Sequence, residues 1–459
     1  MAGDVFEELK REDKAYVWHH FAAMKEYAEG TLPIIKAKGV YVEDAGGKRY
    51  LDAVSGVTVV NIGYGNSRVI EAMKKQLDEL TFCCLIYCSS IPTIKLAKKI
   101  AEITPGDLEK VFFVDSGSEA VETAIKIARQ YHYQTGSSKK FKTISRWISY
   151  HGATLGALSA TGRTIHRRPF EPMLARFPHI PPPYCYRCFF GKEYPDCDME
   201  CARFLEKTIR LEDPDSVSSF IAEPIIGLSG AGIVPPDEYF PMVREICDQY
   251  NVLFIFDEVI TGFGRTGKMF AAEHWNVVPD ILVGAKGATS GYAPLGFAIA
   301  KPGIWDAFFG EGRETLAHGH TYGGHALGCA AGLACIDVMK SEGLVERSSR
   351  MGKYLKKRLR ALNHKIIGDV RGEGLLVGVE LVKDRETKEI FDQDQKVGPE
   401  IAEKAFEKGV KIFGYKSPCP GMTSDLLYIT PPLIITKEEI DTIVDVVDQS
   451  ITEVEKKFV

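Results

Sequence analysis

Lys286 ends an apolar stretch, Ile281–Ala285, and is followed by Gly287, unlike the solvated lysines elsewhere in the chain. Desolvation and nearby cations lower a lysine's pKa and make its amine a nucleophile toward aldehydes. The competing reading is a plain buried ion pair with Asp257 or Glu223. Both carboxylates also end apolar stretches, Phe220-Ile221-Ala222-Glu223 and Phe254-Ile255-Phe256-Asp257-Glu258. A carboxylate delivered there must hold a partner, because burying it alone is costly. Asp257-Glu258 admits two readings. One is a metal or magnesium-nucleotide pair, weakened because the chain has no G-x-x-x-x-G-K-[ST] loop. The other is a buried acid facing a protonated ring nitrogen.

Three further segments carry complementary chemistry. Ser116-Gly117-Ser118 stands between an apolar stretch and a helical one, and offers free N–H groups, hydroxyls and a positive dipole end. That suits a phosphate; an ordinary capped helix, with Ser116 and Glu119 at capping-box spacing, is the alternative. Tyr150-His151-Gly152 could lay an aromatic side chain against a planar ring, or be a packed pair. Gly319-His320-Thr321-Tyr322-Gly323-Gly324-His325 offers Thr321 as another phosphate hydroxyl. His318, His320 and His325 lack a clear carboxylate or cysteine partner, so a metal there is not assigned. Phosphate, aromatic ring, basic ring nitrogen and an aldehyde seeking an amine together describe pyridoxal 5′-phosphate.

These residues need a scaffold that gathers them, and the pattern of elements supplies one. Residues 1–30 carry a helical pattern ending near Glu29-Gly30, followed by short strands over Lys38–Glu43 and Arg49–Asp52. Helices are expected over Ser67–Leu80, Thr93–Ile103 and Glu119–Tyr133. Strands are expected over Val111–Val114, Thr143–Ser149, Val217–Ala222, Val252–Phe256 and Ile281–Gly284. Short apolar strands alternating with helices imply an α/β fold with a mainly parallel sheet covered on both faces. Ligands in such sheets bind beyond the carboxyl ends of the strands, where all six segments fall. After about residue 325 the pattern changes to a smaller α+β domain. Its helices are His325–Ser341, Leu344–Leu362, Pro399–Glu407 and Lys437–Glu455. Its strands are Ile366–Arg371, Leu375–Leu381, Val410–Phe413 and Leu426–Ile429. The expected division is 1–64, packing with the small domain, then 65–325 and 326–459.

Composition excludes several classes. The chain has 459 residues, 45% hydrophobic and 26% charged, with net charge −5, which is ordinary globular chemistry. No basic block marks a nucleic-acid binder, and no apolar run reaches the ~18 residues of a membrane span. The acidic start, MAGDVFEELKRED, does not read as a secretory signal. Eleven cysteines without an export signal read as reduced thiols in a cytoplasmic protein.

The run from Asp257-Glu258-Val259 through Gly264-Arg265-Thr266-Gly267, followed by Ala285-Lys286-Gly287, resembles the class III pyridoxal-phosphate-dependent aminotransferases, the ω-aminotransferase group. The likeness extends from Gly47-Lys48-Arg49-Tyr50-Leu51-Asp52 to Asp369-Val370-Arg371-Gly372-Glu373-Gly374. It implies a fold-type-I large domain like that of aspartate aminotransferase. It also implies an amino group moved from an ω-amino acid, amine or related donor to a 2-oxo acid such as pyruvate or 2-oxoglutarate. A lyase, racemase or aminomutase of the same family is the alternative. By this resemblance Lys286 binds the cofactor aldehyde and Asp257 its ring nitrogen. Val259 and Tyr150 flank the ring, with His151 and Glu223 beside it. Ser116, Gly117 and Ser118 hold the phosphate, and Thr321 reaches in from the partner of a homodimer, or of a tetramer.

Substrate residues follow from the same likeness. Trp18-His19-His20 and Val57-Thr58-Val59 fall where the group lines its pocket, and Val57 is smaller than the aromatic often found there. Taurine, β-alanine and amine transaminases all fit, and a CoA thioester of a β-amino acid is conceivable. Many members carry a mobile arginine in the C-terminal domain for the oxo acid's carboxylate. Here no arginine follows Arg385, and that segment reads Phe413-Gly414-Tyr415-Lys416-Ser417. Lys416, or Arg163 in another loop, is expected to meet the carboxylate. Finally, Cys185, Cys188, Cys197 and Cys201 form C-x2-C-x8-C-x3-C beside Pro181-Pro182-Pro183. The pairing suits tetrahedral zinc. The loop location in a chain whose chemistry needs no metal favours packed or free thiols, so no metal is assigned.

Overall fold

The computed structural model describes residues 2–27, 31–309, 315–392, 394–416, 419 and 423–458. Its main sheet has seven strands, and their order explains where the site lies. From one edge they are Lys110–Val114, Gly296–Ala300, Ile281–Gly284, Leu253–Asp257, Val217–Ala222, Lys142–Arg146 and His179–Ile180. All are parallel except Gly296–Ala300, which runs antiparallel to both neighbours. The central strands Val217–Ala222 and Leu253–Asp257 are buried along their whole length. Continuous apolar runs of this kind are what a sheet covered on both faces requires. Helix Gly117–Gln134 buries Val121, Ala124, Ile125 and Ala128 against it.

A second sheet, Ile367–Glu373, Leu376–Leu381, Asp425–Ile429 and Phe413–Tyr415, is antiparallel throughout. It forms one apolar cluster with helices Leu344–Arg360, Val397–Glu407 and Lys437–Glu455. The third sheet joins the two chain ends. Ile34–Lys38, Tyr41–Asp44 and Arg49–Asp52 form an antiparallel meander, and Val410–Lys411 pairs in parallel with the last of them.

Several expected elements change. The helix of residues 1–30 stops at Tyr16. The chain then turns back so that His19 Nε2 and the Thr31 hydroxyl both reach Asp13, at 2.9 and 2.8 Å. The expected end at Glu29-Gly30 lies outside the described residues. The strand read as Lys38–Glu43 is two strands broken at Gly39, whose φ of +62° makes the turn. Val410–Phe413 is likewise split, each half entering a different sheet. The strand expected over Thr143–Ser149 ends at Arg146, since Ile148 adopts a left-handed φ of 71°. Strand Gly296–Ala300 and helices Glu200–Leu211 and Tyr239–Gln249 were not placed from sequence.

Candidate active site

A cavity of about 970 Å³ opens at the carboxyl edge of the main sheet. Three neighbouring strands, Val217–Ala222, Leu253–Asp257 and Ile281–Gly284, deliver Glu223, Asp257 and Lys286 to it. Lys286 follows strand Ile281–Gly284 in a left-handed conformation, φ 41°, at the start of a short turn. Such backbone is strained for a side chain with a Cβ and persists only where the surroundings impose it. The amine lines the cavity and has no hydrogen-bond or ion-pair partner among the described residues. Burial lowers its pKa to about 8, against the opposing pull of Asp257 and Glu223. The plain ion pair is therefore not what the structure builds.

Asp257 and Glu258 part company. Successive residues at a strand end point to opposite faces. Asp257 lines the cavity, its Oδ2 2.7 Å from His151 Nδ1 and its Oδ1 accepting the Val259 N–H at 3.1 Å. Glu258 turns away and accepts the N–H groups of Ala271 and Ala272 at 2.9 and 2.7 Å. Burial raises its pKa to about 7. Two carboxylates on opposite faces cannot share a metal, which removes the magnesium-nucleotide reading.

Glu223 both lines the cavity and braces it. It accepts the Tyr150 N–H at 3.0 Å and the Gly227 N–H at 2.9 Å. Burial raises its pKa, with His151 opposing and Asp257 adding. At the far end, Ser116 caps helix Gly117–Gln134 by accepting the Glu119 N–H, while Glu119 reaches back to the Asp115 N–H at 2.8 Å. The first N–H groups of this helix, on Gly117 and Ser118, have no partner among the described residues. Gly117 is required because a Cβ there would come within 2.8 Å of Val259. Ser118 Oγ accepts the Ala153 N–H at 3.1 Å and keeps its own proton to donate.

This arrangement fits pyridoxal 5′-phosphate. Gly117, Ser118 and the Ser116 hydroxyl stand together at a helix N-terminus and could cradle its phosphate. Val259 and Tyr150 line the space between, Asp257 offers a carboxylate to a ring nitrogen, and Lys286 an amine to an aldehyde. Val57, Val59 and Arg163 complete the expected lining. Arg163 is buried, and its Nε has no partner.

Three expected residues lie elsewhere. Trp18 is 85% exposed and outside the cavity; His20 and Phe21 of the same element line it. Lys416 is half-buried and also outside it, because strand alternation turns Phe413 and Tyr415 toward the cavity. Ser417 lies outside the described residues. Thr321 is exposed on a turn and does not reach this chain's own cavity.

Other lining residues went unread. His166 stacks on Phe21 at 5.1 Å and meets Tyr150 edge-on at 6.0 Å. Burial and the Arg163 charge lower His166 to about 4, so it is neutral at neutral pH. Tyr415 donates its hydroxyl to the Leu228 carbonyl, and both residues line the wall.

Similarity to known proteins bears on this geometry. The sequence model of the family described as Aminotransferase class-III matches residues 23–451. An adenosylmethionine-8-amino-7-oxononanoate aminotransferase of Methanocaldococcus jannaschii is 40% identical, over 97% of this chain and 98% of its own. A taurine–pyruvate aminotransferase of Bilophila wadsworthia is 40% identical over 98% of each chain. The solved omega transaminase of Pseudomonas jessenii, in complex with PMP, has a TM-score of 0.92 at 32% identity, covering 98% of this chain and 99% of that one. A strand-end lysine and aspartate, a phosphate cradle and a family match across most of the sequence agree: the chain belongs to the class-III aminotransferases, pyridoxal-phosphate enzymes of fold type I.

Proposed function

We propose that this aminotransferase takes the amino group of an ω-amino acid, amine or related donor and holds the 2-oxo acid acceptor, pyruvate or 2-oxoglutarate, by Arg163. One observation carries the second part. Arg163 lines the same cavity as Lys286, is buried, and has an Nε without a partner. A buried guanidinium without a carboxylate is costly to keep, and an α-carboxylate entering the cavity offsets that cost. Val57 stands in the cavity wall at a position where the group often carries an aromatic residue, which supports a roomy donor side.

Pyridoxal 5′-phosphate, when bound, supplies an aldehyde carbon for amines and a ring that withdraws electrons from the substrate's Cα. The chain's own residues do the rest. Lys286 Nζ, lowered to about 8, spends an appreciable fraction of time uncharged at neutral pH and can accept the Cα proton. The proton returns from the same nitrogen, so one amine acts as base and then acid. The Asp257 carboxylate would keep a proton on the ring nitrogen, and His151 fixes that carboxylate's orientation. Gly117 and Ser118 would hold the phosphate through their N–H groups. Glu223 positions Tyr150 and Gly227 by their backbone. Donor and acceptor use the same cavity in turn, which gives ping-pong kinetics.

We further propose a homodimer in the cytoplasm, with Thr321 entering the partner's phosphate site. Exposed Phe82, Leu85, Ile86, Tyr87 and Tyr322 support an interface. Eleven unpaired cysteines support a reducing compartment. No helix among the described residues is long and apolar enough to cross a membrane.

Kinetics with pyruvate and 2-oxoglutarate test the acceptor site. A charged hydrogen bond is worth about 1.5–3 kcal/mol. Arg163→Ala should therefore raise acceptor KM roughly 10- to 100-fold, while Lys416→Ala changes it little. A large rise from Lys416→Ala alone would show the carboxylate lies elsewhere.

A further inference from the structure

The four cysteines that the reaction does not use come together in the fold. Cys185 opens a three-residue turn, Cys185–Arg187, and Cys188 closes it. The Cys188 carbonyl accepts the Gly191 N–H at 3.1 Å, folding the chain back on itself. Cys197 accepts the Glu200 N–H through its carbonyl at 3.2 Å, and Cys201 lies in the first turn of helix Glu200–Leu211. One pair thus sits on a tight turn and the other straddles a helix start. All four line a single void of about 20 Å³. That is room for one ion or one water, and far too little for a substrate.

Packing accounts for only part of the set: Cys197 is buried and Cys201 leans on the apolar cluster of helix Glu200–Leu211. Cys185 is exposed, and Cys188 and Cys201 are only partly covered. Between strand His179–Ile180 and helix Glu200–Leu211 the one regular element is the Cys185–Arg187 turn. Chain with so little apolar burial of its own is commonly held by a staple. The helix start lacks the usual cap as well: Met199 sits at its N-cap with φ 49° and gives no side-chain hydrogen bond. Thiolates there would meet the positive end of the helix dipole. No three of the sulfurs lie within 4.8 Å of one another. Zinc–sulfur bonds of about 2.3 Å would draw them to about 3.8 Å apart, so binding requires the two pairs to close on the void that all four line.

We propose that Cys185, Cys188, Cys197 and Cys201 bind one Zn²⁺ as a closed, tetrahedral, structural site. All four thiols lose their protons to solvent on binding, no electron is transferred, and no position stays open for substrate. The anchored segment is docked where it can steady the catalytic wall. Tyr184 and Arg187 both bind Glu380. Glu380 holds Arg371 at 2.7 Å, and Arg371 donates to the Gly230 carbonyl at 2.8 Å. Gly230 belongs to the same loop as Gly227, which Glu223 binds, and Leu228, which lines the cavity.

Full-length enzyme, expressed with zinc and dialysed without chelator, tests this by elemental analysis. About one zinc per chain is expected, with those four thiols protected from a thiol reagent until the metal is removed. Replacement by Co²⁺ should give the thiolate-to-cobalt charge-transfer band of a tetrahedral site. Cys188→Ser should bring zinc to near zero, and Cys188→His, which restores a ligand, should recover it. Zinc-free folded enzyme with four reactive thiols in this segment would overturn the proposal. So would iron with acid-labile sulfide, or disulfides among the four cysteines.

Discussion

Two regions of this molecule bury charged side chains, and they treat them in opposite ways. Within the small sheet, the Glu380 carboxylate is met by Arg371, Arg187 and Tyr184, although Arg187 keeps Nη2 without a partner. Burial pushes Glu380 up, but Arg371, Tyr184 and Arg187 more than offset it and hold the carboxyl below its usual range. In the cavity, among the described residues, Lys286 has no hydrogen-bond or ion-pair partner and Arg163 has an unmatched nitrogen. Burial wins there and lowers both. The buried carboxylate of the small sheet is thus countered by two guanidinium groups, whereas the cavity amine of Lys286 meets no carboxylate at ion-pair distance among the described residues and is lowered by burial.

The sharpest way to separate the two regions is to remove the open amine. Lys286→Ala should lower turnover on the order of 10²–10⁴-fold or more through lost proton transfer. The cofactor-free protein should melt no lower than wild type, since an unpaired buried amine is gone. Substantial turnover in this variant, or a label on another lysine after borohydride reduction, would remove Lys286 from the reaction. Asp257→Asn comes next. A preorganised carboxylate at the ring nitrogen is expected to contribute on the order of 10²–10³-fold. Near-normal single-turnover rates in the Asn variant would refute that role.

Breaking the closed network should do the reverse. Glu380→Gln leaves Arg371 and Arg187 short of a countercharge and should cost about 3–5 kcal/mol of stability, with turnover per folded molecule much less affected. Chemical denaturation measures the first and active-site titration corrects the second. The native carboxyl is held low, so the native state binds fewer protons than the unfolded chain. Its contribution is complete above the unfolded value of about 4.3 and is lost as pH falls through the lower native value. The wild type should therefore lose more stability on acidification than Glu380→Gln does.

The smallest effect is a profile rather than a loss. Capture of pyridoxal 5′-phosphate by cofactor-free protein requires the uncharged Lys286 amine. Its rate should rise with pH with a midpoint near 8 and level off above it. A midpoint displaced to about 10.4, the ordinary lysine value, would mean that burial does not tune this amine.

What could be read from the chain follows from geometry. Lys286, Asp257, Glu223 and Ser116–Ser118 were legible because each ends an apolar strand, and strand ends converge on one edge. Residues that reach the cavity from distant segments were not. Phe21 and His166 meet by a stacking contact that no local spacing announces. Tyr415 instead of Lys416 is a matter of strand phase, hidden because the strand beginning at Val410 is divided between two sheets. Gly296–Ala300 escaped notice because Gly-Phe-Ala-Ile-Ala is short and poor in β-branched residues. The cysteine spacing was visible, but only the fold shows four sulfurs around one void.

The reversed strand Gly296–Ala300 has a consequence of its own. It lies between the strand that leads into the phosphate cradle and the strand that leads into Lys286. Two inter-strand steps of about 4.8 Å therefore separate those anchors, roughly 10 Å set by backbone hydrogen bonds. A ruler made of main chain does not change length when side chains mutate. Variation in the loops that line the rest of the cavity can alter which amine is accepted without disturbing how the cofactor is gripped. That division of labour makes the scaffold tolerant of drift in exactly the residues that decide substrate choice.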